Sequence, residues 1–105
     1  MYKLHVFCPD KQKTIDSIID AASTAGAGIM GNYTHCAFII KGTGQWKPEP
    51  GAHPTIGTVG AMSQIAEVKI EMQCPDDKVD AVDSAIRKVH PYEEPAIEFL
   101  KLYTP

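Results

Sequence analysis

The sequence lacks the features that would assign it to several large functional classes. Its three cysteines, Cys8, Cys36 and Cys74, are odd in number and widely spaced, with no close pair. That spacing excludes a disulfide framework or a zinc ribbon and fits a reducing, cytoplasmic compartment. There is no basic stripe and the formal net charge is −3, so nucleic acid is not an expected partner. No apolar run approaches the roughly 20 residues of a membrane span, so a membrane is not expected either. A strand-like pattern starts at Tyr2, and no secretory signal peptide is expected. Tryptophan occurs once, at Trp46. With 105 residues the chain is expected to form one domain, residues 1–105. Such a domain buries about 65% of its unfolded surface, enough for one modest core.

What is present is one unit written twice. Val6-Phe7-Cys8-Pro9-Asp10 leads into Thr14-Ile15-Asp16-Ser17-Ile18-Ile19, and Met72-Gln73-Cys74-Pro75-Asp76 leads into Ala81-Val82-Asp83-Ser84-Ala85-Ile86. Each copy reads as a strand, a Cys-Pro-Asp turn and a helix, with Asp as a natural N-cap and Pro ending the strand. The first helix, about residues 10–25, aligns Ile15, Ile18, Ile19, Ala22 and Ala25 on one face. The second, about residues 76–89, does the same with Val79, Val82, Ala85, Ile86 and Val89. Strands are expected over residues 2–8, 35–40, 67–74 and 96–103. The order β-α-β-β-α-β specifies an α+β, ferredoxin-like sandwich, two helices on one face of an antiparallel sheet. Right-handed crossovers bring the strand 2–strand 3 loop, the turn at Cys8-Pro9-Asp10 and the segment after the second helix to one end of the sheet. His35, Cys36 and Cys74 fall at the opposite end.

The densest chemistry lies in His90-Pro91-Tyr92-Glu93-Glu94-Pro95, one imidazole, one phenol and two carboxylates in six residues. Its two prolines stiffen the connector. The other concentration is the long loop, about residues 42–64, which opens with Gly42-Thr43-Gly44-Gln45-Trp46 and contains His53. Loops of this length are usually functional or disordered. Trp46, Ile56 and Val59 favour an ordered loop, since all three call for burial. His53 and His90 each precede a proline, and with Glu93 or Glu94 they offer two nitrogens and a carboxylate, a set suited to zinc or copper. The same side chains also suit bonds to backbone amides or to a neighbouring subunit. His5 reads as a structural or surface residue. No serine or cysteine nucleophile lies beside His90 in sequence, so no catalytic residue is assigned.

The paired loop segments Gly42-Thr43-Gly44-Gln45-Trp46-Lys47-Pro48 and Gly51-Ala52-His53-Pro54-Thr55-Ile56-Gly57 resemble the signature of the YqfO-type insert domain. That domain interrupts many bacterial members of the Ngg-interacting-factor-three-like family of dinuclear metal proteins. His90-Pro91-Tyr92-Glu93-Glu94-Pro95 is similar to this insert and to the His-Pro-Tyr-Glu motif of the CutA divalent-cation-tolerance family. The resemblance, extended to the PII-like proteins that share the fold, implies a homotrimer or related homo-oligomer with ligand clefts between subunits. Two departures limit it. The flanking metal-binding halves of the full-length family are not in this sequence, so their dinuclear site is not carried over. His53 also stands where the insert usually has Asn.

Together these readings describe a self-associating binding or regulatory module rather than an enzyme. A small-molecule ligand is expected among Gly42, Thr43, Gly44, Gln45, Trp46, His53, His90 and Tyr92, with Trp46 as an apolar wall and the loop amides accepting an anion. The alternative is a copper or zinc tolerance protein using His53, His90, Glu93 and Glu94. A metal-dependent hydrolase is the weaker alternative. Trp46, Tyr92, Phe99, Leu100 and Tyr103 are the aromatic and apolar residues expected to serve subunit contacts.

Overall fold

In the computed structural model, which describes residues 1–103, the elements follow the expected order. They are β1 (Tyr2–Pro9), α1 (Gln12–Thr24), β2 (Phe38–Trp46), β3 (Ser63–Cys74), α2 (Val79–Val89) and β4 (Ile97–Lys101). The last two positions of the expected domain lie outside the described residues. The four strands form one sheet in the order β2-β3-β1-β4, with every neighbouring pair antiparallel. Because β1 and β2 both oppose β3, they run parallel to each other, as a β-α-β crossover requires. This is the ferredoxin-like arrangement.

The alternation along the strands decides which face is covered. Leu4, Val6 and Cys8 of β1 and Val68, Ile70, Met72 and Cys74 of β3 are buried on one side. Ile15, Ile18, Ile19 and Ala22 of α1 and Val82 and Ile86 of α2 complete this core. The apolar stripes read from the sequence are thus the surfaces that meet, except that Val89 is 40% exposed at the end of α2. Burying one such aliphatic side chain is worth about 1.5–3 kcal/mol, so this single layer carries most of the fold's stability. On the open face His5 lies 3.5 Å from Glu71, which also holds Lys69 at 3.2 Å.

Several boundaries differ from the sequence expectation: β3 starts at Ser63 rather than Glu67, and β4 is Ile97–Lys101 rather than 96–103. Asp10 and Asp76 do not cap the helices, and neither helix has a side-chain cap. Lys11 precedes α1, and a 3-10 turn at Asp76–Lys78 delays the start of α2. The Asp10 carboxylate instead faces Lys41 at 3.6 Å. β2 begins at Phe38 rather than His35, because Cys36 is held by the Gly28 carbonyl (2.9 Å) and His35 takes a left-handed φ of 60°. β2 then continues to Trp46, which pairs with Ser63, so the connection to β3 is residues 47–62 rather than 42–64. Gly42 and Gly44 tolerate the strand conformation and sit opposite Glu67 and Ile65 of β3.

Candidate functional site

The end of α2 shows how the connector is held. His90 donates its backbone N–H to the Ile86 carbonyl at 2.9 Å, then turns extended (φ −71°, ψ 134°) ahead of Pro91. The residue is 8% exposed. Nε2 lies 2.8 Å from the Phe7 carbonyl, and Nδ1 lies 3.1 Å from the Tyr92 backbone N–H. A carbonyl only accepts and an amide N–H only donates, so the proton sits on Nε2 and Nδ1 is the acceptor. Burial holds the His90 pKa below its usual value, and the Phe7 carbonyl and the Glu67 carboxylate oppose that shift. His90 is thus a neutral bracket that joins the connector to β1.

The 47–62 loop is tied to the same connector. Thr55 Oγ1 donates to the Pro91 carbonyl at 2.6 Å. The His53 backbone N–H donates to the Glu93 carboxylate, 3.0 and 3.3 Å from its two oxygens. The loop is closed internally by Trp46 Nε1 donating to the Ile56 carbonyl at 3.2 Å and by the Gly60 N–H donating to the Pro48 carbonyl at 2.7 Å. Gly57, at φ 109°, admits the indole edge: a Cβ there would stand 2.6 Å from Ser63 Oγ and 3.3 Å from Trp46 Nε1. The Trp46 and Tyr92 rings meet with centroids 5.7 Å apart and planes tilted by 51°.

The Tyr92 hydroxyl donates to Glu67 Oε2 at 2.5 Å. Glu67 is on β3, and its side chain lies across β2 at Gly44, in the space a Cβ at that position would occupy. Gly44 is therefore the residue that lets the carboxylate reach Tyr92. Burial and the Glu67 carboxylate both raise the Tyr92 pKa, so the phenol stays protonated as a donor. The nearby Cys8 thiol is pushed up to about 12, first by burial and then by Glu67 and Asp10. It remains a thiol and serves as a small core residue, not a nucleophile.

Between loop and connector lies a cavity of about 310 Å³, lined by Trp46, Tyr92 and the loop residues Pro48, Pro54, Thr55 and Ile56. Lys47, Glu49, Glu93 and Glu94 stand at its edge. Three carboxylates against one ammonium make the rim acidic.

The structure treats the expected site residues unequally. Trp46 and Tyr92 come together as walls of the cavity. Gly42 and Thr43 instead line a second hollow of about 160 Å³ with Phe7, Ile40 and Lys69, while Gly44 and Gln45 are strand residues. Gln45 is bonded to Gln64. His53 is exposed and contributes its backbone rather than its ring to the loop anchor. The zinc or copper set His53, His90, Glu93 and Glu94 is not assembled, because both His90 nitrogens are taken by protein partners and Glu93 is bonded to the His53 amide. Among the described residues, no group of three or more His, Cys, Asp or Glu side chains is arranged to hold a metal ion. The loop amides of Ala52, His53, Gly60 and Ala61 donate to protein acceptors. Of the residues expected at subunit contacts, Trp46 and Tyr92 face this cavity and Phe99 packs on the core, while Leu100 and Tyr103 are 47% and 92% exposed. Glu67 was not singled out from the sequence. Its alternation marked it only as an outward strand residue; strand register, the space left at Gly44 and the placement of the connector together bring it to Tyr92.

The comparisons with known proteins fit this geometry. A GTP cyclohydrolase 1 type 2 homolog from Halalkalibacterium halodurans is 44% identical over 102 residues, 97% of this chain, and one from Bacillus subtilis is 42% identical over 96 residues. The crystal structure of a Bacillus cereus protein related to NIF3 superposes with a TM-score of 0.82 at 34% identity, covering 98% of this chain and 26% of that one. The chain is a YqfO-type domain of the NIF3-like family. It spans about a quarter of the length of these relatives, 27% of the first and 25% of the second. The periplasmic divalent cation tolerance protein CutA from Archaeoglobus fulgidus has the same fold, with a TM-score of 0.73 at 13% identity, covering 99% of this chain and 85% of that one. No protein-family model matches the sequence. Among the described residues, no helix of this NIF3-like domain is long and apolar enough to cross a membrane.

Proposed function

We propose that this NIF3-like domain is a self-associating binding module, and that its ligand is a small molecule held between Trp46 and Tyr92. The cavity carries this reading. Its walls come from β2, the 47–62 loop and the connector after α2, and hydrogen bonds between loop and connector hold it open before any ligand arrives. A preformed, mostly apolar hollow with a few polar groups is the usual form of a small-ligand site, and about 300 Å³ is at the small end of that range. The GTP cyclohydrolase name belongs to relatives about four times longer than this chain. A nucleoside triphosphate would meet Glu49, Glu93 and Glu94 at the rim, which opposes it here.

Self-association is supported by the sheet edge. Among the described residues nothing pairs with the outer side of β2, where Phe38, Ile39 and Ile40 are exposed by 66%, 41% and 40%. Such edges normally need covering. The family resemblance makes a homotrimer the expected assembly.

Because Trp46 is the sole tryptophan, its indole N–H resonance reads the cavity directly. A fragment screen monitored at that resonance should give hits that Tyr92→Ala abolishes. A screen of several hundred fragments in which none moves the resonance would remove the ligand site. Light scattering should give a homo-oligomer that Phe38→Lys with Ile40→Lys dissociates; a monomeric wild type would remove the assembly.

A further inference from the structure

The chemistry around the cavity narrows the ligand class. Trp46 and Tyr92 form a corner rather than a parallel slot, with centroids 5.7 Å apart and planes at 51°. A flat body can lie against one ring while a positive group is within about 6 Å of the other, where ring quadrupoles attract cations. Pro54 and Ile56 continue the apolar wall. The charge lies at the mouth: Glu93 and Glu94 on the connector, and Glu49 on the facing loop with Lys47 about 4.0 Å from it. Glu93 is partly occupied by the His53 amide and Glu49 by Lys47, so Glu94 is the carboxylate best able to meet a ligand.

Resting on the reading of this cavity as a ligand site, we propose that it takes a free, small, flat organic cation of the amidinium or guanidinium kind. The apolar body contacts the Trp46–Tyr92 corner and the cationic head faces Glu94. Planar N–H donors match carboxylates in paired hydrogen bonds, which a compact ammonium cannot do as well. The cavity volume of about 310 Å³ suits a whole small ligand.

The test uses benzamidinium, benzamide and benzoate, which share one shape and carry three different charges. Each is titrated into the whole protein and followed at the Trp46 indole N–H resonance. Benzamidinium should bind at least about fivefold more tightly than benzamide, and benzoate should be the weakest. Raising the salt concentration should shrink that spread. Glu94→Gln should bring benzamidinium close to benzamide while leaving benzamide unchanged, a result that misfolding would not produce. Benzoate binding as well as benzamidinium would overturn the cation proposal while leaving the ligand site intact. If none of the three moves a resonance that Tyr92→Ala does move, the cation proposal falls, and the ligand site falls with it only if the wider fragment screen is also blank. N-acetyl-arginine methylamide binding more tightly than benzamidinium would overturn the choice of a free molecule in favour of a peptide side chain.

Discussion

The Tyr92 hydroxyl reaches the Glu67 carboxylate at 2.5 Å, across 25 residues of sequence and over a glycine on the neighbouring strand. This bond joins the connector after α2 to β3, and through the Trp46–Tyr92 contact it sets the wall of the cavity. A charge-assisted bond between half-buried partners orients both side chains, whereas an exposed ion pair of similar length orients little.

Tyr92→Phe removes that bond while keeping the ring. It should lower stability by about 1 kcal/mol, given the partial exposure of both partners. Urea unfolding followed by Trp46 fluorescence would measure this, and an unchanged midpoint would show that the bond is not formed in solution.

Gly44→Ala should cost at least as much, because its Cβ takes the space in which the Glu67 side chain lies. The two changes act on one contact. In a double-mutant cycle their effects should fall short of additivity by about 0.5–1 kcal/mol. Full additivity would mean that Gly44 and Tyr92 are not linked through Glu67.

The pH dependence follows from His90. The unfolded chain takes up a proton on this imidazole near its usual value of 6.5, and burial holds the folded value lower. Above that pH both states are neutral and the residue adds nothing. As the pH falls below about 6.5 the unfolded state binds the proton first, so stability declines until the folded ring also protonates. Protonation would also remove the Nδ1 acceptor used by the Tyr92 N–H. His90→Gln should flatten this part of the stability profile, and an identical slope in the variant would assign the titration to another group.

The thiols should differ in reactivity. Cys8 and Cys74 are fully buried, and the pKa of each is raised, chiefly by burial. Cys36 is only half-buried. Iodoacetamide at pH 8 should therefore label Cys36 first, and all three should be labelled once the chain is unfolded in urea. Peptide mass spectrometry would show this, and early labelling of Cys8 would contradict the packing at the end of β1.

The repeated strand-turn-helix pattern carried the fold in legible form. Period-two alternation in Val68, Ile70, Met72 and Cys74, and helical spacing in Ile15, Ile18, Ile19 and Ala22, named the buried residues. These signals are local, set by backbone geometry, and so were visible without a structure. The right-handed crossover also placed the long loop beside His90 to Pro95.

The site depended on what no local pattern encodes. His90 looked like a ligand residue, yet two backbone groups, one from β1 and one from its own connector, use both ring nitrogens. The expected caps Asp10 and Asp76 were displaced by one extended residue and one 3-10 turn. Gly44 read as a loop glycine but is a strand residue that makes room for Glu67. Periodicity reports which face a side chain occupies. Strand register and loop packing decide which distant side chain it meets there, and only the tertiary structure brought the Glu67 carboxylate to the Tyr92 hydroxyl.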